Sequence, residues 1–217
     1  MPKLPRHPDP DRLRSLDPPI REVGGDRRWH RIYRRGGERA TLWNALRRFG
    51  PTDARFDHHL PDDDGRPWQQ SRGIMYLASD IPTCLAEVFQ NSREVDRRDR
   101  HPWLVSFRFR STLRLLDLTD VFPIQSGASM KLMTGPRRHA RNWARGYYES
   151  YPFIDGLYFN SSMTNRAALA LFERVVPKDA LPETPDLHRS LADPLLLVPI
   201  QEACVDIGYG MSPDIRF

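Results

Sequence analysis

The sequence predicts a single α+β domain with strands in the majority of its core. Two observations carry this. Short apolar or alternating segments at 29–33, 74–78, 103–109 and 113–120 read as strands. Two segments, 81–89 and 137–148, repeat apolar residues at helical spacing. No Gly-x-Gly-x-x-Gly turn and no P-loop is present, so a Rossmann or Walker nucleotide site is not supported.

The chain of 217 residues is long enough to bury a sizeable core in one unit. Residues 1–25 hold Pro2, Pro5, Pro8, Pro10, Pro18 and Pro19 and close on Gly24-Gly25. Proline fixes φ and removes a backbone donor, so this segment is expected to be an extended arm or linker before a domain spanning 26–217. Trp29–Tyr33 is the first predicted strand, and Thr41–Leu46 a helical turn. Pro61–Gly65 is a solvated loop, and Ile74–Ala78 a short buried strand ending beside Tyr76. Pro82 suits the first turn of the next helix, where its missing N–H is not needed. Cys84, Leu85, Val88 and Phe89 share one face of that helix, and Glu87 falls outside it. A charged loop over 92–101 leads to strands at 103–109 and 113–120. Arg137–Tyr148 is a helix with Ala140, Trp143, Ala144 and Tyr147 on one face. Two late strands are expected at 155–160 and 167–175, and a last strand, interrupted by Pro199, at 194–205.

Basic residues number 33 against 28 acidic, a net charge of +5, and only three of the basic residues are lysine. This mild excess suits an anionic small molecule, an acidic protein or nucleic acid. Cys84 and Cys204 stand far apart, with no Cys/His cluster for zinc, and no disulfide is expected. No signal peptide and no membrane span are expected, which makes the cytoplasm the default compartment.

Several side chains sit where chemistry could use them. Arg31, flanked by aromatics, either covers apolar surface with its stem or offers its planar fork to phosphate oxygens. Arg55-Phe56-Asp57 follows the turn signal Phe49-Gly50-Pro51 and is either a surface loop or one wall of a cleft. Tyr76 is a core tyrosine or a platform for a flat ring. Glu87 is a solvated helix charge, or a carboxylate placed where positive charge develops on a ribosyl carbon. Ser161-Ser162 is a turn or a site hydroxyl. Thr134-Gly135-Pro136 either caps the following helix or donates to a phosphate. There is no nucleophile elbow, so no Ser-His-Asp triad is expected.

The order Arg31, Arg55-Phe56-Asp57, Tyr76-Leu77-Ala78, Ala86-Glu87-Val88 and a late Ser161 resembles the RES domain family over roughly residues 29–176. That resemblance implies a fold like the mono-ADP-ribosyltransferases, with a split, strand-rich core around a cleft. It implies a toxin that cleaves NAD at the nicotinamide–ribose bond, with water, phosphate or a protein side chain as acceptor. NAD is then a substrate, and no cofactor or metal is implied. Glu87, Arg31 and Arg55 are the implied catalytic residues, and Arg31, Arg55, Phe56, Tyr76, Thr134 and Ser161 the NAD contacts. A cognate helix-turn-helix antitoxin is the implied partner, within a homo-oligomeric complex that meets DNA only through the antitoxin and no membrane.

The chain also departs from the family pattern. Ile32 stands where many members have tyrosine after the first arginine. Tyr33, one residue on, belongs to the opposite strand face. Ala54 replaces the usual glycine, and Asn160 a common proline. Two other readings compete: a nucleic-acid binder using its arginines, and a RES-like scaffold that only binds a partner. Strong salt dependence and indifference to Glu87→Ala would mark the first. Absence of NAD turnover would mark the second.

Overall fold

The structure, a computed structural model, describes residues 4–212. Strands β1 (Ile20–Val23), β2 (Trp29–Arg34), β3 (Arg47–Gly50), β4 (Trp68–Ala78), β5 (Glu94–Val95) and β6 (Pro102–Phe107) occupy the first half of the chain. The second half supplies β7 (Leu113–Asp117), β8 (Gly156–Asn160), β9 (Ala167–Phe172), β10 (Leu187–Ser190) and β11 (Gly210–Met211). The helices are α1 (Pro10–Ser15), α2 (Ile81–Val88), α3 (Phe122–Gln125), α4 (Lys131–Thr134), α5 (Arg137–Ser150) and α6 (Leu197–Ile207). The α+β, strand-rich single domain expected from the sequence is what the chain forms.

Nine strands make one mixed sheet in the order β1-β7-β8-β9-β4-β2-β6-β10, with β3 branching from β4. The register explains where a site can open. β2 pairs with β6 along its whole length, from Trp29↔Phe107 to Arg34↔Pro102. β4 pairs with β9 from Ile74↔Phe172 to Ala78↔Ala168. Between β2 and β4, however, the only paired residues are His30 and Ala78. Past that point the strands part. The sheet is therefore two half-sheets joined at one pair, with a gap between their edges that polar side chains can fill.

Three buried clusters hold the halves. Trp143, Tyr147, Ala140 and Ala144 of α5 pack on Leu116, Leu157 and Phe172, as the helical spacing predicts. Trp29, Phe107, Leu113 and Leu169 fill the opposite face. Leu85 and Phe89 of α2 meet Ile200, Ala203 and Cys204 of α6.

The structure differs from the sequence reading in four places. The described part of residues 1–25 is not an extended arm: it contains α1, and β1 adds to the sheet edge against β7. Leu4 and Leu13 give it apolar anchors in the main core despite its prolines. Residues 194–205 are not a strand. Ile200, Ala203 and Cys204 are buried at helical spacing, and Pro199 lies in the first turn of α6, where no intrahelical N–H bond is lost. Thr41–Leu46 is a turn rather than a helical segment, closed by Ala45 N–H on Leu42 O at 3.2 Å. β4 is longer than the apolar run 74–78, because its polar first half is stabilised by pairing with β3.

Candidate active site

The gap between β2 and β4 is a cleft of about 740 Å³. β2 supplies Arg31 and Tyr33, β4 supplies Tyr76, the β3 region supplies Arg47 and Arg48, and α2 supplies Glu87. Arg31, Arg39, Arg47, Arg48, Arg55 and Arg137 line it against two acids, Glu38 and Glu87. Such a lining selects an anion.

Arg31 is 8 % exposed. The alternation of β2 turns Trp29, Arg31 and Tyr33 to the same buried side and Ile32 to the other. Tyr33 therefore does not fill the position of Ile32. The Arg31 Nη1 donates to the carbonyl oxygens of Trp43 at 2.6 Å and Ala45 at 3.0 Å, pinning the turn that follows β2. Burial lowers its pKa to about 10, with Tyr33 opposing the shift and the charge of Arg47 adding to it. The guanidinium remains charged at neutral pH.

Arg55 is held from the far wall. Its Nη1 donates to the carbonyl oxygens of Leu132 and Gly135, both at 3.0 Å. Tyr76, whose phenol is pushed strongly up by burial, donates its hydroxyl to the Arg55 carbonyl at 2.8 Å. Burial lowers the Arg55 pKa, Arg137 lowers it further, and Glu87 and Asp53 act in the opposite sense. The Arg55 and Glu87 charges thus sense each other across the cleft.

Glu87 projects from the cleft side of α2. That helix starts where the sequence places it, with Asp80 accepting from Thr83 N–H at 2.8 Å and Pro82 in the first turn. Ser161, buried at the end of β8, donates its hydroxyl to Glu87 Oε1 at 2.6 Å. The Ser161 Oγ in turn accepts from the N–H groups of Met163 at 3.1 Å and Thr164 at 3.4 Å, which fixes the orientation of the hydroxyl.

Arg31, Arg55, Tyr76 and Glu87 therefore converge on one cleft, and Ser161 reaches it through Glu87, the neighbouring Ser162 being the serine that lines it. Two other predicted site residues stand apart. Phe56 is fully buried with φ +63° and lies under the cleft, its ring centroid 4.7 Å from that of Phe159. Thr134 is exposed at the end of α4, outside the residues that line the cleft. Nor does it cap α5, whose N-cap position is Pro136, without a side-chain bond. The Thr134–Pro136 segment serves the site through the Gly135 carbonyl.

Lining arginines escaped the sequence reading, Arg47 and Arg137 among them. Arg47 donates Nη2 to buried Asp57 at 3.0 Å. Arg137, the first residue of α5, donates to Asp53 Oδ2 at 3.0 Å and to the side-chain oxygen of Gln90. The doubled arginine before Phe49-Gly50-Pro51 and the arginine opening a helix after Gly135-Pro136 were the available signals. Among the described residues, no group of three or more His, Cys, Asp or Glu could hold a metal, and no helix is long and apolar enough to cross a membrane.

A split sheet around an arginine-lined cleft, with one hydroxyl-held carboxylate, defines a domain of the ADP-ribosyltransferase-like type of fold. The RES domain family matches residues 28–192, and the chain belongs to that family. The fold is similar to a chain of the crystal structure of the M. tuberculosis MbcT–MbcA toxin–antitoxin complex. The TM-score is 0.56 at 14 % identity, over 90 % of this chain and 96 % of that one. No curated protein sequence matches the chain.

Proposed function

We propose that this chain is a RES-type toxin that breaks the nicotinamide–ribose bond of NAD, arresting growth unless an antitoxin blocks it. The supporting observation is the Glu87–Ser161 pair facing Arg31 and Arg55 in one cleft. A volume of about 740 Å³ lies within the range of about 300–1,000 Å³ usual for small-molecule sites.

The chemistry follows from charge. The C–N bond to nicotinamide breaks with its electron pair going to the ring nitrogen, so nicotinamide leaves neutral and positive charge grows on the ribosyl carbon. A fixed carboxylate beside that carbon stabilises the transition state more than the ground state. Ser161 occupies one face of Oε1 and sets the carboxylate plane, leaving Oε2 for a ribose hydroxyl. Arg31 and Arg55 bind the pyrophosphate, and Tyr76 packs against the nicotinamide side. Water then attacks and loses a proton to solvent, giving ADP-ribose. Inorganic phosphate in its place gives the 1-phosphate ester. A protein side chain in that role makes the chain an ADP-ribosyltransferase.

The structural neighbour is a chain of a toxin–antitoxin complex, which supports a protein antitoxin as the partner here. A helix-turn-helix antitoxin, a homo-oligomeric complex and action in the cytoplasm, where NAD is held, complete the reading.

The test is cellular NAD after brief induction of wild type and Glu87→Ala, with growth followed in parallel. NAD collapse with wild type alone is the expected result, and added phosphate in vitro then separates phosphorolysis from hydrolysis. Growth arrest at constant NAD points to protein modification. No change in either, with folded and antitoxin-free protein, sinks the enzyme reading and leaves a binding scaffold.

A further inference from the structure

We infer that Arg47 is a third anion-binding arginine of the cleft and that buried Asp57 and His59 are its positioning residues. The inference rests on the NAD reading for the identity of the ligand, but the anion site stands on geometry alone. Asp57 is 0 % exposed and gathers five donors. Its Oδ2 accepts from Arg47 Nη2 at 3.0 Å, Thr52 N–H at 2.7 Å and Thr52 Oγ1 at 2.9 Å. Its Oδ1 accepts from His59 N–H at 3.2 Å and lies 2.5 Å from His59 Nδ1. The other ring nitrogen, Nε2, reaches the Arg72 carbonyl on β4 at 2.9 Å.

The imidazole thus ties Asp57 to the sheet, and Asp57 ties Arg47 to the cleft wall. Room for the ring depends on Gly50, where a Cβ would lie 2.6 Å from His59 Cγ. A second bond from Arg47 Nη1 to the Phe49 carbonyl fixes the guanidinium plane.

A buried carboxylate held this way is a poor source of stability, because its desolvation offsets much of the ion-pair gain. What the arrangement achieves is placement. Arg47 remains a quarter exposed, at 26 % of its side chain, and lines the cleft beside Arg31 and Tyr76. Its charge is felt at both of them. Arg31 bonds to neutral carbonyls, so two guanidinium groups share this wall with one carboxylate, already saturated by five donors. A phosphate between them relieves the repulsion and accepts the forks of both.

The experiment compares wild type with Arg47→Gln, His59→Leu and His59→Asn, all checked for folding by circular dichroism. Initial rates with NAD give kcat and KM, and calorimetric titration with inorganic pyrophosphate reads the anion site without turnover. Arg47→Gln is expected to raise KM and weaken pyrophosphate binding by about 10- to 100-fold, with kcat changed by less than about threefold. His59→Leu is expected to follow in the same direction. His59→Asn keeps a donor toward Asp57 and is expected to restore most of the loss.

A folded Arg47→Gln with wild-type KM and pyrophosphate affinity overturns the anion assignment. If His59→Leu lowers the folded fraction while KM and pyrophosphate affinity hold, the positioning role is overturned. If wild type binds pyrophosphate through Arg47 yet never turns over NAD, the NAD reading fails and the anion site stands.

Discussion

Ser161 and Glu87 lie 74 residues apart in sequence, and a 2.6 Å hydrogen bond joins the serine hydroxyl to the glutamate carboxylate. β8 ends beside the cleft and presents the buried serine to the glutamate that α2 projects into it. The serine hydrogen is committed to the carboxylate, while the serine oxygen is held by the Met163 and Thr164 N–H groups. Ser161 thus acts through Glu87. On the proposed NAD chemistry, Glu87→Gln removes the charge that would stabilise the ribosyl cation and is expected to cost about 10²–10³ in kcat. Ser161→Ala frees the carboxylate plane and is expected to cost less, about tenfold, mainly in kcat. Single-turnover rates of NAD cleavage check both. Equal rates for Ser161→Ala and wild type would remove the orienting role.

Tyr76 tests how the arginine wall is held. Its hydroxyl donates to the Arg55 carbonyl, and its ring packs against the main core. Tyr76→Phe keeps the ring and leaves the Arg55 carbonyl without its partner, so a loss of about 1 kcal/mol is expected. KM should rise severalfold through the loosened Arg55. Tyr76→Ala removes the platform as well and should cost several times more. Urea midpoints with parallel KM measurements separate the two effects. A Phe variant that matches wild type in both would leave the hydroxyl without a role.

The elements that carry this site are legible in local patterns of the sequence, while the site roles of Arg31, Arg55, Tyr76 and Glu87 rest on the resemblance to the RES domain family. The helix carrying Glu87 announces itself through Asp80, Pro82 and the stripe Cys84, Leu85, Val88 and Phe89. Tyr76 ends an apolar run, and Arg55 follows a proline turn. The cleft itself was not legible, because it exists only where β2 and β4 part after His30 and Ala78, a tertiary event with no local signature. Arg47 and Arg137 were missed for the same reason: in sequence they are arginines among arginines. Thr134 was favoured for its hydroxyl, yet the neighbouring Gly135 carbonyl makes the contact. The last helix was misread because Pro199 suggests a break, although the first turn tolerates it.

The N-terminal segment lies before the family's matched residues but is bonded into the core. Trp143 Nε1 donates to the Pro5 carbonyl at 2.9 Å, and the Tyr151 hydroxyl donates to the Leu13 carbonyl at 2.6 Å. Arg12 grips the Gln125 carbonyl through Nε at 2.9 Å and Nη2 at 2.7 Å. Leu13 is fully buried, so Leu13→Ala is expected to cost about 2–5 kcal/mol. Gly146 faces Pro8, and a Cβ there would lie 2.3 Å from Pro8 Cγ. Gly146→Ala should therefore lift the segment off α5 and expose it to protease, while α5 keeps its helicity. Limited proteolysis with the urea midpoint reads both changes. Unaltered protection in Gly146→Ala would show that the segment can shift without detaching.

Acid sensitivity should come from a second buried group, beside the cleft loop. His58 is fully buried between Tyr148 and Phe172, with ring centroids at 4.5 and 4.4 Å, and its Nε2 lies 3.4 Å from Glu173 Oε2. Burial lowers its pKa from 6.5 to about 4, despite the raising effect of Glu173. A folded-state value below the unfolded one means that the unfolded chain binds the proton first. Stability is therefore lost as pH falls from 6.5 toward about 4, a contribution on the order of 3 kcal/mol. Glu173 continues the loss at lower pH. Burial alone would raise its pKa, but hydrogen bonds from His58, Tyr148 and the Gly73 N–H hold it down from 4.5 to about 2. Its contribution is fully present above pH 4.5 and is lost as pH falls to about 2. His30 and His188, both lowered by burial, add to the upper part of the slope. His58→Phe fits the same aromatic slot without a proton to gain. It should flatten the stability curve between pH 6.5 and 4 and, by removing one hydrogen bond to Glu173, shrink the limb below 4.5 while the Tyr148 and Gly73 bonds keep the rest of it. Urea denaturation at half-unit pH steps measures the slope, and identical slopes in the two proteins would show that His58 is not the group that titrates.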